Sequence, residues 1–504
     1  IYNDAQYGDL MIYRFGKNAN VFIDTRFDLY GDKLTYDYYK IANARDNWLE
    51  LLDEYKIDWL FVMSDYQAVR PLKARGWQQL YNDFLSDTVY LRYATATPAI
   101  DPEAGNVYAQ GTQGILAGFT PDGKLLWKYD VTYLDTLPGA EVAAARKKVA
   151  EAEALSTEIA QASLELDRLR REARKRAVPP ETKAKLDEQG RKVADLKNRA
   201  ALLSRYRPPE DIPTAGNASP SPVTDGTNVY TYFGNHVAAS FTGDGKLRWA
   251  RHLPPEGEPQ MHGFTHGRAA SPLLAGKTLI LPLNKLYALD ADTGRTRFAA
   301  GDYLDYGTPA IARIGNEEIV LTPDGHAVRL RDGSLLSKEL PFIYYVGPVV
   351  AAGGVAYWAG NTDSNPPNRA EVTAVQLGTT AFAPKRLFSH ALPNERQYAT
   401  PLSGGDGALF LVNERAQLTV LDGATGAVRV ERALGTGTAF PSPTLAGDFI
   451  YLSGADGVTV VLEAKAPYRE IARNTLPPFR ATPIFAGRRM YVRGLEKVYC
   501  IEER

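Results

Sequence analysis

Short stretches in which apolar and polar residues alternate with a period of two run through most of residues 95–504, punctuated by glycine and proline. This pattern predicts many short antiparallel strands, each with a buried face. Asp-Gly pairs at 122–123, 244–245, 324–325 and 456–457 predict hairpin turns, because glycine adopts a positive φ without steric cost. A different period interrupts the strands from 141 to 207. Apolar or alanine residues there fall at 142, 145, 149, 152, 155, 159, 162, 166, 169 and 173, and beyond Pro179-Pro180 at 186, 193, 196, 200 and 203. Spacings of three and four predict two helices with a/d seams, an antiparallel coiled-coil hairpin broken at the proline pair. Residues 1–94 mix both periods. Strands are predicted over 21–24 and 59–63, and helices over 32–44, from an Asn47 N-cap, and over 66–75 up to Gly76. A hairpin over 77–81 and 88–92 completes a small α/β module.

One phrase opens the strand groups of 95–504: a small residue, then Ser or Thr, then Pro. It stands at Ala96-Thr97-Pro98, Pro220-Ser221-Pro222, Ala270-Ser271-Pro272, Gly307-Thr308-Pro309, Ala399-Thr400-Pro401, Pro441-Ser442-Pro443 and Ala481-Thr482-Pro483, with a degenerate copy at Val346-Gly347-Pro348. The prolines are 124, 50, 37, 39, 53, 42 and 40 residues apart. All intervals but the first match the roughly 40–50-residue period of propeller blades, which bury their faces only by stacking on neighbours. The outsized interval is accounted for by the helical hairpin, inserted between the first two blades. Eight openings predict a mainly β chain with an eight-bladed ring, a seven-bladed one being the alternative. The last repeat supplies three strands before the chain ends, so residues 88–93 are predicted to close the ring.

A second phrase lies within the blades. Its fullest copy is Ala288-Leu289-Asp290-Ala291-Asp292-Thr293-Gly294-Arg295-Thr296-Arg297-Phe298, with weaker copies ending at Trp127, Trp249 and Val430. The pattern Ala-x-Asp-x-x-Thr-Gly-x-x-x-Trp resembles the docking motif of quinoprotein-like (PQQ-type repeat) propellers, and the chain is BamB-like in repeat type. The resemblance implies aromatic wedges between adjacent blades. In the enzymes of that class it implies a quinone in the central channel, a tryptophan floor, a calcium ion held by carboxylates and amides, and usually a vicinal disulfide. Cys500 is the single cysteine, so that disulfide cannot form. Trp127 and Trp249 occupy docking positions and Trp358 falls in the degenerate blade. The expectation is therefore no catalytic residue, no cofactor and no metal.

Residues 1–94 resemble the extracytoplasmic C-terminal domain of bacterial integral-membrane mannosyltransferase-like glycosyltransferases. The matching residues are Asn3-Asp4, Gly8-Asp9-Leu10-Met11-Ile12-Tyr13-Arg14, Val21-Phe22-Ile23-Asp24-Thr25-Arg26-Phe27-Asp28-Leu29-Tyr30-Gly31-Asp32, Ile57-Asp58-Trp59-Leu60-Phe61-Val62, Gly76-Trp77 and Val89-Tyr90-Leu91-Arg92. In that family the catalytic acids lie in the membrane portion, so the resemblance carries over no site and implies only proximity to a membrane.

Charge refines this picture little. The net charge of −1 gives no global attraction to nucleic acid. Residues 141–208 hold 17 basic and 11 acidic residues, a net of +6 against −7 for the rest. The excess concentrates at the predicted hairpin tip in Arg168, Arg170, Arg171, Arg174, Lys175 and Arg176, where anionic lipid head groups or an acidic partner surface would be met. No aromatic residues interleave these arginines, which argues against nucleic acid. His262 and His266 are four apart, but flanking glycines predict a loop rather than a metal-binding helix face. Asp24, Arg26, Asp28 and Asp32 are expected to fix a turn, and Cys500 is expected to be buried. No run of 18 apolar residues appears, and the chain begins at Ile1, implying a removed leader or a longer polypeptide.

The expected domains are 1–94, an α/β module, and 95–504, the propeller, with the hairpin at 141–207. The expected function is a non-catalytic extracytoplasmic scaffold, periplasmic in a bacterium. It would dock proteins of a membrane-associated complex through the propeller faces and the arm, with tethering segments upstream of Ile1. The alternatives are a degenerate quinoprotein dehydrogenase, a glycan or small-ligand binder in the funnel, or the soluble portion of a membrane glycosyltransferase fusion.

Overall fold

The computed structural model describes residues 2–3, 22, 31–42, 47–57, 60–61, 72, 96–111, 114–173, 180–203, 220–233, 237–253, 270–283, 285–301, 307–362, 369–494 and 497–502. The chain divides into two compact units, one of residues 1–82 with 137–208, the other of 83–136 with 209–504.

The second unit is the eight-bladed propeller. Seven four-stranded antiparallel sheets (99–130, 223–252, 273–300, 310–337, 349–392, 402–433 and 444–475) are blades 1 to 7, and a three-stranded sheet over 484–502 is blade 8. Strands pair in sequence order within every sheet, so each blade is a meander. The middle strands are buried on both faces, as in Val229, Tyr230, Ala238 and Phe241, because each sheet is sandwiched between its neighbours. The ring closes where blade 8 meets blade 1: the buried Arg493 donates to the Ala96 carbonyl, and the Tyr491 hydroxyl to that of Pro121, each at 3.5 Å. Residues 88–93, expected to supply the eighth blade's fourth strand, lie outside the described residues.

The Ser/Thr-Pro openings prove to be a chain of contacts from blade to blade. The backbone N–H of Thr97 donates to Ser221 Oγ, that of Ser221 to Ser271 Oγ, and that of Ser271 to Thr308 Oγ1, at 2.8, 3.0 and 3.0 Å. Thr400 to Ser442 and Ser442 to Thr482 repeat the bond at 3.0 Å. Each hydroxyl thus satisfies an inward amide of the preceding blade that no strand partner reaches. The following proline sacrifices no ladder bond, because it opens the innermost strand. The degenerate copy also has its reason. Gly347 lacks a hydroxyl, and a Cβ there would collide with the Thr308 carbonyl, while one at Gly307 would collide with that of Val346. Backbone passes backbone directly at that seam.

At larger radius, aromatics seal the seams. Trp127 of blade 1 donates from Nε1 to the Gly243 carbonyl at 2.9 Å, and Trp249 of blade 2 donates to that of Ala291 at 2.9 Å. Trp127 lies against Gly245, Trp249 against Gly294, Phe298 against Gly333 and Phe388 against Gly426. A Cβ at any of these glycines would sit 2.5–2.7 Å from the ring. All four have φ of 69–86°, so both the conformation and the close approach require glycine. Asp290 and Asp422 brace these turns, accepting from Thr293 or Thr425 and pairing with Arg297 or Arg429 at 2.6 and 2.7 Å.

In the first unit, helices α1 (Gly31–Ala42), α2 (Trp48–Glu54), α3 (Gly139–Ala173) and α4 (Pro180–Leu202) are described. Asn47 stands at the N-cap of α2, but its side chain makes no capping bond and instead accepts from Lys40 Nζ at 3.3 Å. Tyr2–Asn3 pairs in parallel with Leu60–Phe61. Helices α3 and α4 share a buried seam of Ala152, Leu155, Ala162, Leu166, Val193, Leu196, Ala200 and Leu203, and Gln189 Nε2 donates across it to the Ala162 carbonyl at 2.8 Å. Leu164 packs instead against the cluster of Phe22, Tyr38, Ile41, Trp48, Leu51 and Leu52. The inserted helices and the N-terminal module therefore form one unit.

Candidate functional site

In the last four blades the residue preceding the opening phrase stands one step ahead of the hydroxyl chain, at the entry to the innermost strand. In blades 5 to 8 these are Tyr345, Tyr398, Phe440 and Arg480, and they form a continuous row. Tyr345 meets Tyr398 edge to face at 5.8 Å, Tyr398 stacks on Phe440 at 5.0 Å, and the Arg480 guanidinium lies 4.4 Å from the Phe440 ring centre. Tyr344 and Phe342 extend it from blade 5, their rings 4.6 Å apart. All are partly exposed. Tyr345 is held at φ 69°, a left-handed conformation that costs a non-glycine residue roughly 1–2 kcal/mol.

A rigid loop carries the centre of this row. The wholly buried Asn361 accepts from the Gln397 N–H at 2.8 Å and donates to the Glu395 carbonyl at 3.0 Å. Glu414 N–H donates to the Arg396 carbonyl, while the Arg396 N–H donates to Glu414 Oε1. The loop is thus fastened to blade 5 on one side and to a turn of blade 6 on the other. Arg396 Nη1 donates to the Tyr398 hydroxyl at 3.0 Å, and that contact raises the guanidinium pKa further. Beside the loop opens a cleft of about 270 Å³ lined by Glu395, Asn413, Arg415, Gln417, Thr419 and Glu431, with Arg415 and Glu395 paired at 3.1 Å.

Residues singled out in the sequence fare unequally. Trp127 and Trp249 close seams, and the wholly buried Trp358 donates to the Thr322 carbonyl of blade 4 at 3.0 Å. None of the three is placed to floor a quinone, so these residues do not fit that cofactor. Among the described residues no group of three or more His, Cys, Asp or Glu is arranged to hold a metal. Cys500 is exposed rather than buried, because it stands on the last strand described in blade 8. Arg168 pairs with Glu165 at 2.6 Å on α3, so it does not answer only to Glu172. Arg170 is exposed, and the side chains of Arg171, Arg174, Lys175 and Arg176 lie outside the described residues. His262, His266, Asp24, Arg26, Asp28 and the Asp32 side chain also lie outside them.

Sequence reasoning missed the aromatic row because attention to the Ser/Thr-Pro phrase stopped one residue short of it. The signal was available: the position reads Thr95, Ser219, Ala269 and Tyr306 in blades 1 to 4, then Tyr345, Tyr398, Phe440 and Arg480. Phe388 escaped notice because blade 5 lacks the full docking phrase.

Eight meandering blades, four of their seams closed by an aromatic on a glycine, make the ring an eight-bladed propeller with PQQ-like repeats. The model of the family described as outer membrane protein assembly factor BamB matches residues 350–466, which span blades 5 to 7. That segment lies wholly within the ring, so the mannosyltransferase-like resemblance of residues 1–94 gains no support from it. Among solved structures the chain is similar to BamB from Moraxella catarrhalis, at 12% identity over 80% of this chain and 92% of that one, with a TM-score of 0.49. It is also similar to the computationally designed Ika8 protein (9%, 84% and 100%, 0.48) and to Saccharomyces cerevisiae Sqt1 (9%, 84% and 100%, 0.49). No curated protein matches the sequence. Among the described residues, no helix is long and apolar enough to cross a membrane.

Proposed function

We infer that this chain is a non-catalytic protein-interaction scaffold whose docking face is the mouth of the propeller at blades 5 to 8. The observation that carries this reading is the one-sidedness of the aromatic row. Were these rings needed only to pack the repeat, the same position would be aromatic in every blade. It is small or polar in blades 1 to 3, and the ring forms there too. Partly exposed tyrosine, phenylalanine and arginine on a fastened loop are the composition of interface hot spots, where rigid side chains lose little entropy on binding. The BamB-like repeat supports the same reading, and the description of that matched family supports an extracytoplasmic address and a membrane-associated complex. The basic residues from Arg168 to Arg176 would then supply a second contact, to an acidic partner or an anionic membrane.

Site-specific photo-crosslinking in the native host tests the reading. A crosslinker at position 398 is expected to yield discrete protein adducts, while one at Leu387, exposed on an outer strand, yields few. Equal adduct patterns from both positions, or none from 398, would remove the mouth as the docking face.

A further inference from the structure

The mouth row also specifies what kind of partner it takes, an inference that rests on the scaffold reading. We propose that it seats an extended, acidic segment of a partner protein, its carboxylates received by Arg396 and Arg480 and its apolar side chains packed against Tyr345, Tyr398 and Phe440.

The guanidiniums argue for the acid. Arg396 is partly buried, and the one hydrogen bond its guanidinium makes among the described residues is to the Tyr398 hydroxyl. A guanidinium has five N–H donors, so anion-binding capacity is left at the centre of the row. Glu414, whose charge also acts on this guanidinium, makes its hydrogen bond to the Arg396 backbone N–H. Arg480 ends the row with its guanidinium over the face of Phe440, which adds a second positive charge to the strip. The neighbouring Glu395 and Arg415 neutralise one another, so they do not cancel this positive character.

The rings argue for an extended segment. They follow one another along the openings of blades 5 to 7 as a strip, with successive ring contacts of 4.6 to 5.9 Å. Ring edges carry partial positive charge, which suits peptide carbonyls and carboxylates lying along them. The strained backbone at Tyr345 points the same way, since such strain is retained where a side chain must be aimed. A strip ordered beforehand avoids the entropy cost of arranging rotamer-rich side chains on binding.

The test uses the whole chain and three fluorescent probes: a short peptide alternating glutamate with phenylalanine, its glutamine counterpart, and a galacturonate oligomer. The glutamate peptide is expected to bind, with affinity falling as salt rises. Arg396→Gln with Arg480→Gln is expected to weaken it by about tenfold or more at an unchanged melting temperature. Tyr398→Ala with Phe440→Ala should weaken both peptides. Equal binding of the glutamine peptide, indifference to the arginine changes, or tighter binding of the galacturonate oligomer would each overturn the proposal. Should no peptide bind while position 398 still crosslinks to protein, the scaffold reading stands and the acidic-segment inference alone falls.

Discussion

Aromatic residues recur in two regions of this propeller, and they do different work in each. At the seams, Trp127, Trp249, Phe298 and Phe388 lie flat on glycines of the next blade. At the mouth, Tyr345, Tyr398 and Phe440 lie on one another and stay partly exposed. A seam aromatic comes with a matched turn, Asp-x-x-Thr-Gly in the fuller copies, so removing it leaves a hole shaped for a ring. Among the described residues, no mouth aromatic lies on a matched glycine turn of this kind. Residue type alone does not separate the two settings; the presence of a matched glycine turn does.

The largest effect is expected where that turn loses its ring. Trp249→Ala should cost about 3–5 kcal/mol, read by urea denaturation, since it opens a cavity between blades 2 and 3 and strands the Ala291 carbonyl. A cost below about 1 kcal/mol would erase the distinction between seam and mouth. Crowding the turn instead should be next: Gly294→Ala meets both a positive φ and the indole, for a loss on the order of 1–3 kcal/mol in the same assay. Ser271→Ala removes one link of the hydroxyl chain and should cost about 1 kcal/mol, chiefly through the unpaired Ser221 amide. Tyr398→Ala with Phe440→Ala gives up one stacked pair, so about 1 kcal/mol or less is expected in the same urea assay.

Acid sharpens the comparison from the side of charge. Hydrogen bonds from Arg297 to Asp290 and from Arg429 to Asp422 hold both carboxyls down at about 2, below the ordinary value of 3.8. A depressed folded-state pKa contributes stability that is present above the unfolded value and is lost as pH falls through the folded one. Between about pH 4 and pH 2 the seam braces should therefore weaken. Because both aspartates are solvent-screened, the shift should be small, and it should vanish in Asp290→Asn with Asp422→Asn. Urea midpoints at neutral and acid pH, compared between parent and variant, measure it.

Much of this was legible along the chain. The strand period, the Ser/Thr-Pro interval and the Asp-Gly turns are local signals, because a propeller blade is a meander of neighbours in sequence. The helical seam from Ala152 to Leu203 was equally plain, since α3 and α4 bury each other's apolar stripes. Other positions misled for one shared reason. Cys500 reads as buried, and Asn47 stands at the cap but turns its side chain to Lys40, because what covers a strand or what a side chain reaches is decided by partners outside the local pattern. The mouth row was legible as letters at one repeat position, but not as a surface.

The sequence by itself indicated a propeller, with eight blades favoured over seven, and the aromatic chemistry of its seams, each encoded within some fifty residues of chain. Only the tertiary structure decided that the recurrent hydroxyls bond from blade to blade, that the inserted helices pack with the N-terminal module, and that Tyr345, Tyr398, Phe440 and Arg480 meet. Those contacts join residues from 37 to more than a hundred positions apart, and it is the geometry of the assembled blades that brings such residues together.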